Sequence, residues 1–239
     1  MAPEPIATRG PASAAHVGGS DTPRRAVLLD ALGTLVELER PWPHLVEELA
    51  ARGVVVGEDD ARRAMLAEMA YYRAHHDEAV DWEALKDLRR RCAAVVQDEI
   101  GTSLPLVDVL DALLDAIRFR AYPEVPGVLA RLRDGGARLA VVSNWDVSLH
   151  DVLERTGLRR LVDAVVISAV EGVAKPDPAI FRAALVKLGA EAEGAVHVGD
   201  SLEHDVAGAR AAGLEAVLVV RNGASAPPGV RAVASLAEL

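Results

Sequence analysis

Ala26-Val27-Leu28-Leu29-Asp30, running into Ala31-Leu32-Gly33-Thr34-Leu35, is a short apolar run closed by an acid and a glycine turn. An uninterrupted apolar run of this length fits a strand buried on both faces, as in parallel sheets. A carboxylate at the carboxyl end of such a strand stands where open α/β sheets place their chemistry. Asp is also a common turn and cap residue, so this segment alone leaves both readings of Asp30 open.

Working outward, the alternation of strands and helices is interrupted and then resumes. Between about Trp42 and Tyr122 the apolar residues recur at helical spacing. Leu45, Val46, Leu49 and Ala50 share one face, and Ala64, Met65, Met69 and Tyr72 share another. Leu85, Leu88, Cys92, Val95 and Val96 continue the pattern, and Val107, Leu110, Leu113, Leu114 and Ile117 make a fourth face. After Pro123 the expected elements are a helix from Pro126 to Gly135-Gly136, a strand Leu139 to Val142 and a helix Val147 to Arg155. A strand Ala164 to Ile167, a helix Pro178 to Gly189 and a strand Ala195 to Val198 follow. A helix Val206 to Ala212 and a last strand Ala216 to Val220 complete the pattern. The expected fold class is α/β: a Rossmann-like parallel sheet core, residues 23–40 and 123–239, with an inserted all-helical cap domain over 41–122. The insert leaves just after Asp30 and returns before the second strand, which puts it over the sheet's carboxyl edge.

Composition narrows the classes. The chain has 239 residues, 51% hydrophobic and 26% charged, as expected of a globular protein with one sizeable core. A net charge of −10 and the lack of any basic run exclude a nucleic-acid footprint. No stretch is apolar enough to span a membrane, so a membrane partner is not expected. The single cysteine, Cys92, excludes an internal disulfide and fits a reducing, cytoplasmic setting. It follows Arg89-Arg90-Arg91, so an activated thiol and a packed structural cysteine both stay open. Residues 1–22 mix Pro, Gly, Ala and Ser without periodicity and are expected to be a disordered tail.

Three further segments carry chemistry. Ser143-Asn144 ends the second strand, where a hydroxyl and backbone N–H groups either hold an anion or cap a helix. Lys175 stands before Pro176 in Glu171-Gly172-Val173-Ala174-Lys175-Pro176-Asp177-Pro178, suited to neutralising charge at a bound anion if it does not simply face solvent. Gly199-Asp200-Ser201 followed by Asp205 brackets a strand-to-helix turn with two carboxylates, a hard-oxygen pocket suited to Mg²⁺ when a third acid is near.

Together with Asp30 these segments resemble, in order and spacing, the four motifs of the haloacid dehalogenase superfamily, from Ala26 to about Leu218. The resemblance implies that the first, second and fourth motif strands are neighbours, which gathers Asp30, Ser143 and Asp200 at one edge. It implies Asp30 as nucleophile and Mg²⁺ ligand, with the backbone carbonyl of Leu32, Asp200 and Asp205 completing the metal site. Asp205 would bind directly or through water. It implies that Ser143, Asn144 and Lys175 hold the phosphoryl group, while Thr34 hydrogen-bonds the Asp30 carboxylate and aims it. The expected activity is Mg²⁺-dependent hydrolysis of a small phosphorylated metabolite through an aspartyl-phosphate.

One position departs from the pattern. The superfamily's phosphatases carry a second Asp two residues after the nucleophile, as general acid and base; here it is Leu32. Such assistance is worth typically ~10²–10⁴-fold. The leaving group then needs no proton, or the cap supplies one from Tyr71-Tyr72-Arg73-Ala74-His75-His76-Asp77-Glu78, or turnover is lost and a phosphate-binding regulatory module remains. The superfamily's dehalogenases and phosphonate hydrolases also lack that Asp. The former replace the metal carboxylate that Asp200 retains here, and the latter use a cap lysine, of which the insert has only Lys86. Trp42, His44, Tyr72, Arg73, His76 and Trp145 are the expected lining of a substrate cavity.

Overall fold

The computed structural model describes residues 25–221, 223 and 226–239; the tail expected over 1–22 lies outside them. The chain begins with β1 (Ala26–Leu29) and β2 (Val36–Leu38). Four helices follow: α1 (Pro41–Ala51), α2 (Glu58–His75), α3 (Trp82–Ile100) and α4 (Leu106–Ala116). Next come β3 (Phe119–Ala121), α5 (Val125–Asp134), β4 (Arg138–Ser143), α6 (Leu149–Arg155), β5 (Ala164–Ile167) and the short α7 (Ser168–Glu171). The remainder is α8 (Pro178–Leu188), β6 (Val196–Gly199), a π-helical stretch over Leu202–Ala207, α9 (Gly208–Ala211), β7 (Glu215–Val219) and β8 (Arg231–Val233).

Six strands form one parallel sheet in the order β5-β4-β1-β6-β7-β8. Both faces are covered, and β1 shows how. Val27 and Leu29 enter one core with residues of α5 and α6, whereas Ala26 and Leu28 enter the other with residues of α8 and α9. β1 lies between β4 and β6, so Asp30, Ser143 and Asp200 leave neighbouring strands at the same end. The four helices between β2 and β3 enclose a third apolar cluster, centred on Leu45, Met65, Leu88, Cys92 and Leu113, which Val147 joins from the sheet side. α3 is bounded by side-chain capping, with Asp81 accepting from Glu83 and Ala84 N–H, and by a left-handed Gly101.

Four expectations need correction. The stretch 41–122 is not helical throughout, because β3 pairs antiparallel with β2 and ties the two ends of the insert together. Ala216–Val220 is not the last strand; β8 adds to the edge of the sheet. The helix expected from Val206 begins earlier, at Leu202, as a π-helical turn capped by the Ser201 hydroxyl. On α4 the buried face is Val109, Ala112, Leu113 and Ala116, while Val107 is 61% exposed. Each short strand carries too few residues for period-two alternation to show.

Candidate active site

The site grows from the carboxyl ends of β1, β4 and β6 and the loop after α7. The Asp30 N–H donates to the Val198 carbonyl (2.9 Å), which fixes where its side chain starts. Its Oδ1 accepts from the Ser143 hydroxyl (3.0 Å) and from Lys175 Nζ (2.6 Å), all three side chains buried. Lys175 Nζ also donates to Asp205 Oδ1 at 2.6 Å. Carboxylate oxygens of Asp30, Asp200 and Asp205 lie within 4.8 Å of one another. Two glycines permit this crowding. At Gly33, with φ +81°, an added Cβ would stand 2.1 Å from Asp200 Oδ2, and at Gly199 it would stand 2.1 Å from the Asp205 carboxyl carbon.

The electrostatics follow from burial and one shared cation. Burial pushes the Asp30 carboxyl up, and the Asp205 charge adds to this against the attraction of Lys175. Burial would raise Asp205 as well, but the Lys175 ammonium and the His197 hydrogen bond hold it well below the usual carboxylate range. Asp200, facing both acids from a more open position, is pushed up to about 6 by burial and by their charges. Burial alone would lower Lys175; its two carboxylate partners outweigh this and raise it.

Asn144 and Thr34 depart from expectation. The Asn144 amide is engaged by the backbone of Lys175. It accepts from Lys175 N–H (2.7 Å) and donates to the Lys175 carbonyl (2.9 Å), so its side chain holds the lysine's backbone in place. Thr34 is fully buried and its hydroxyl has no hydrogen-bond partner among the described residues, so it does not aim Asp30. Asp30 Oδ1 is already taken by Ser143 and Lys175, and the Thr34 N–H turns back to the Ala31 carbonyl. Cys92 is buried in the helical cluster, where burial and the adjacent Glu68 carboxylate push its thiol up, away from an activated thiolate.

Several positions escaped the sequence reading. His197 is fully buried on β6, with Nε2 2.8 Å from Asp205 Oδ1 and its ring edge-on to Phe181. A polar residue inside Ala195-Val196-His197-Val198 was the available signal. Arg221 donates to the Gly33 carbonyl (3.0 Å) and the Thr34 carbonyl (2.7 Å), pairs with Glu124, and lies over the Tyr122 ring; it braces the turn after Asp30. Nothing local in the sequence marks it.

A cavity of about 730 Å³ opens between α2, α3, α4 and the sheet edge, lined by Leu32, Asn144 and His204 from the same loops that carry the carboxylates. Tyr72, Arg73, His76 and Trp145 line it as expected, but Trp42 and His44 do not. Trp42 packs into the helical cluster and His44 pairs with Glu39. Of the expected cluster of proton donors, Tyr71 and His75 turn to Arg91 and Glu78. Tyr72 instead donates to the buried Asp146 at 2.6 Å. A second hollow, about 550 Å³, lies at the opposite edge of the sheet beside Arg25 and Arg138, away from the carboxylates.

Residues 24–213 match the family described as haloacid dehalogenase-like hydrolase. The chain belongs to that family. It is a hydrolase of the haloacid dehalogenase type, and its parallel sheet with flanking helices is that fold. The chain is 32% identical over 209 residues to a mouse haloacid dehalogenase-like hydrolase domain-containing protein 3, covering 82% of this chain and 81% of that one. It is 42% identical over 106 residues to a phosphoserine phosphatase of Thermus thermophilus, covering 44% and 43%. The bovine counterpart of the mouse protein matches over only 35% of its length, so the chain spans well under half of some of these relatives. Among solved structures, a HAD phosphatase from Thermococcus onnurineus superposes with a TM-score of 0.62 at 28% identity, covering 90% of this chain and 95% of that one. A 2-haloacid dehalogenase from Pseudomonas syringae, at 20% identity and TM-score 0.61, shares the fold. No helix among the described residues is long and apolar enough to cross a membrane.

Proposed function

We propose that this hydrolase is a Mg²⁺-dependent phosphatase, working through an aspartyl-phosphate on Asp30 and acting on a small phosphorylated metabolite. The observation that carries the reading is the charge balance at the sheet edge. Three carboxylates converge within 4.8 Å, and the one buried ammonium among them leaves two negative charges uncompensated. A divalent cation with oxygen ligands fits that deficit and that donor set. Asp30, Asp200 and the Leu32 carbonyl would hold it; no hydrogen bond among the described residues reaches that carbonyl. Asp205 already accepts from Lys175, His197 and the Ser201 N–H, which suits it to holding the ion through water. Bound Mg²⁺ would offset the charge of nucleophile and phosphoryl group as they approach.

The chain's own residues do the rest. Both side-chain bonds to Asp30 converge on Oδ1, leaving Oδ2 to attack phosphorus. Burial raises the basicity of this carboxylate, and so its nucleophilicity. The phosphorus–oxygen bond to the leaving group breaks as the Asp30–phosphorus bond forms, and the leaving oxygen takes the electron pair. Ser143 and Lys175 are donors for the phosphoryl oxygens, and Asn144 positions Lys175. Water then adds to phosphorus as the Asp30 Oδ2–phosphorus bond breaks, Asp30 regains the electron pair, and the water's protons leave with the released phosphate or pass to solvent. We further propose that residues 41–122 act as a cap whose inner face selects the substrate, over a core of 23–40 and 123–239. The relatives named phosphatases support the reaction class.

Phosphate release from a panel running from acyl phosphates to alkyl esters, with and without Mg²⁺, tests this. Asp30→Asn is expected to lower Mg²⁺-dependent release by ~10⁴-fold or more, as losing a covalent nucleophile does. Release that persists in the variant, or none from the wild type on any substrate, overturns the reading.

A further inference from the structure

We infer that the leaving group is aryl, otherwise apolar, and carries an ammonium or other hydrogen-bond donor that meets Glu68. This rests on the phosphatase reading and names its substrate class. Three features of the same cavity converge on it.

The first is the wall. Leu38, Leu88, Leu114, Ile117, Phe119 and Trp145 line the cavity, with Phe119 and Trp145 in ring contact at 5.2 Å. A ring laid against this side of the cavity buries apolar surface that a polyhydroxylated sugar would not, while polar groups such as His76, Ser148 and Asp151 line the rest. The volume, about 730 Å³, is that of a site for a drug-sized group and exceeds what a three-carbon phosphate needs.

The second is Leu32, which lines the cavity beside the nucleophile where a proton donor would protonate a departing alkoxide. A phenolate leaves with the electron pair of its phosphorus–oxygen bond and needs no proton. The acid that is missing and the ring that the wall favours therefore answer each other.

The third is Glu68. It sits on the cavity-facing side of α2, one turn before Tyr72, and is 4% exposed. Among the described residues its carboxylate enters no ion pair, and its hydrogen-bond partner is the Cys92 thiol, a weak donor. The Tyr72 hydroxyl, four residues on, is spent on Asp146. A thiol leaves most of a carboxylate's acceptor capacity unused, and a buried carboxyl so placed beside a cavity is costly unless a ligand supplies a stronger donor. Arg73, Arg89 and Arg155 also line the cavity; Arg73 and Arg155 are exposed and Arg89 half-buried. They are the groups an anionic ligand would use instead.

Three phenyl phosphates of similar size decide the matter: 4-(aminomethyl)phenyl, 4-ethylphenyl and 4-carboxyphenyl phosphate, assayed with Mg²⁺ beside acetyl phosphate and glucose 6-phosphate. The aminomethyl ester is expected to exceed the ethyl ester by ~10–100-fold in kcat/KM, the range set by a buried charged partner. The carboxy ester and glucose 6-phosphate are expected below both. Glu68→Gln and Glu68→Met should erase the aminomethyl preference through KM while leaving the ethyl ester within about threefold. Calorimetry with 4-(aminomethyl)phenol and 4-ethylphenol reads the same preference without turnover, and wild-type selectivity needs no variant to fold. Acetyl phosphate hydrolysed with no gain on aryl esters, or a carboxy ester equal to the aminomethyl one, overturns the inference and leaves the phosphatase reading intact. Phenol discrimination with no phosphate released from any ester overturns the phosphatase reading instead.

Discussion

The sheet edge and the helical wall opposite it bury ionisable groups in opposite ways. At the edge, Asp30, Asp205 and Lys175 are each nearly solvent-free, and each is hydrogen-bonded to another member of the set. Across the cavity, Glu68 is as deeply buried, but its partner is the weakly donating Cys92 thiol and no cation. Buried charge is tolerated where it is paired and strongly penalised where it is not. The edge thus pairs each of these buried groups within the chain, and only its excess of negative charge is left for a bound cation. The wall is unfinished, and its deficit has the form of a ligand.

The largest effect expected from breaking this contrast comes from removing the cation. Lys175→Met leaves Asp30 and Asp205 facing each other without their common donor. Loss of one partner from a buried set costs about 3–5 kcal/mol. The expectation is a clear fall in the urea midpoint together with loss of phosphate release. An unchanged midpoint would mean that the edge does not depend on its internal pairing.

Supplying what the edge lacks should act in the other direction. Leu32 is 43% exposed and lines the cavity, so a carboxyl there meets little desolvation. Leu32→Asp is expected to raise turnover of alkyl phosphates by ~10²–10⁴-fold, the usual worth of general acid–base assistance. Aryl phosphates should gain little, because their leaving groups need no proton. A comparison of kcat on the two ester classes, wild type against variant, checks it. Equal gains on both would show that leaving-group protonation is not what limits the wild type.

The same contrast explains what could be read from the sequence. Asp30, Ser143, Lys175 and Asp200 were legible because edge chemistry ties residue types to strand ends, and strand ends follow from apolar runs and glycines. The sheet was legible for the same reason in β1, β4, β5, β6 and β7. It was not in β2, β3 and β8, whose three residues each are shorter than the alternation that reveals a strand. Asn144 lay at the right position, but its partner is a backbone 31 residues away, which no spacing encodes. His197 showed itself only as one polar letter in an apolar strand, and Arg221 acts 188 residues from the turn it braces. The wall was least legible of all. A helical face fixes which residues point inward but not what they meet, so Glu68 reads from sequence as one more solvated acid on α2.

The smallest expected effect tests whether that acid is as unsatisfied as its surroundings imply. Burial raises the Glu68 carboxyl above its ordinary value. As pH rises through the unfolded-state value of about 4.3, the unfolded chain gives up this proton first while the native chain retains it. The native state then binds more protons than the unfolded state, so stability falls with rising pH until the native carboxyl also ionises. Glu68→Gln removes the titration. The variant and wild type should match in stability below about pH 4, apart from a constant offset, and the variant should gain steadily above it. A gain of about 1 kcal/mol near neutrality, the low end for a poorly satisfied buried group, raises Tm by roughly 2–4 °C in a chain of this size. Melting curves from pH 4 to 8 read the difference directly. A pH-independent gap would mean that Glu68 ionises as freely in the native protein as in the unfolded chain. The wall would then have no deficit for a ligand to fill.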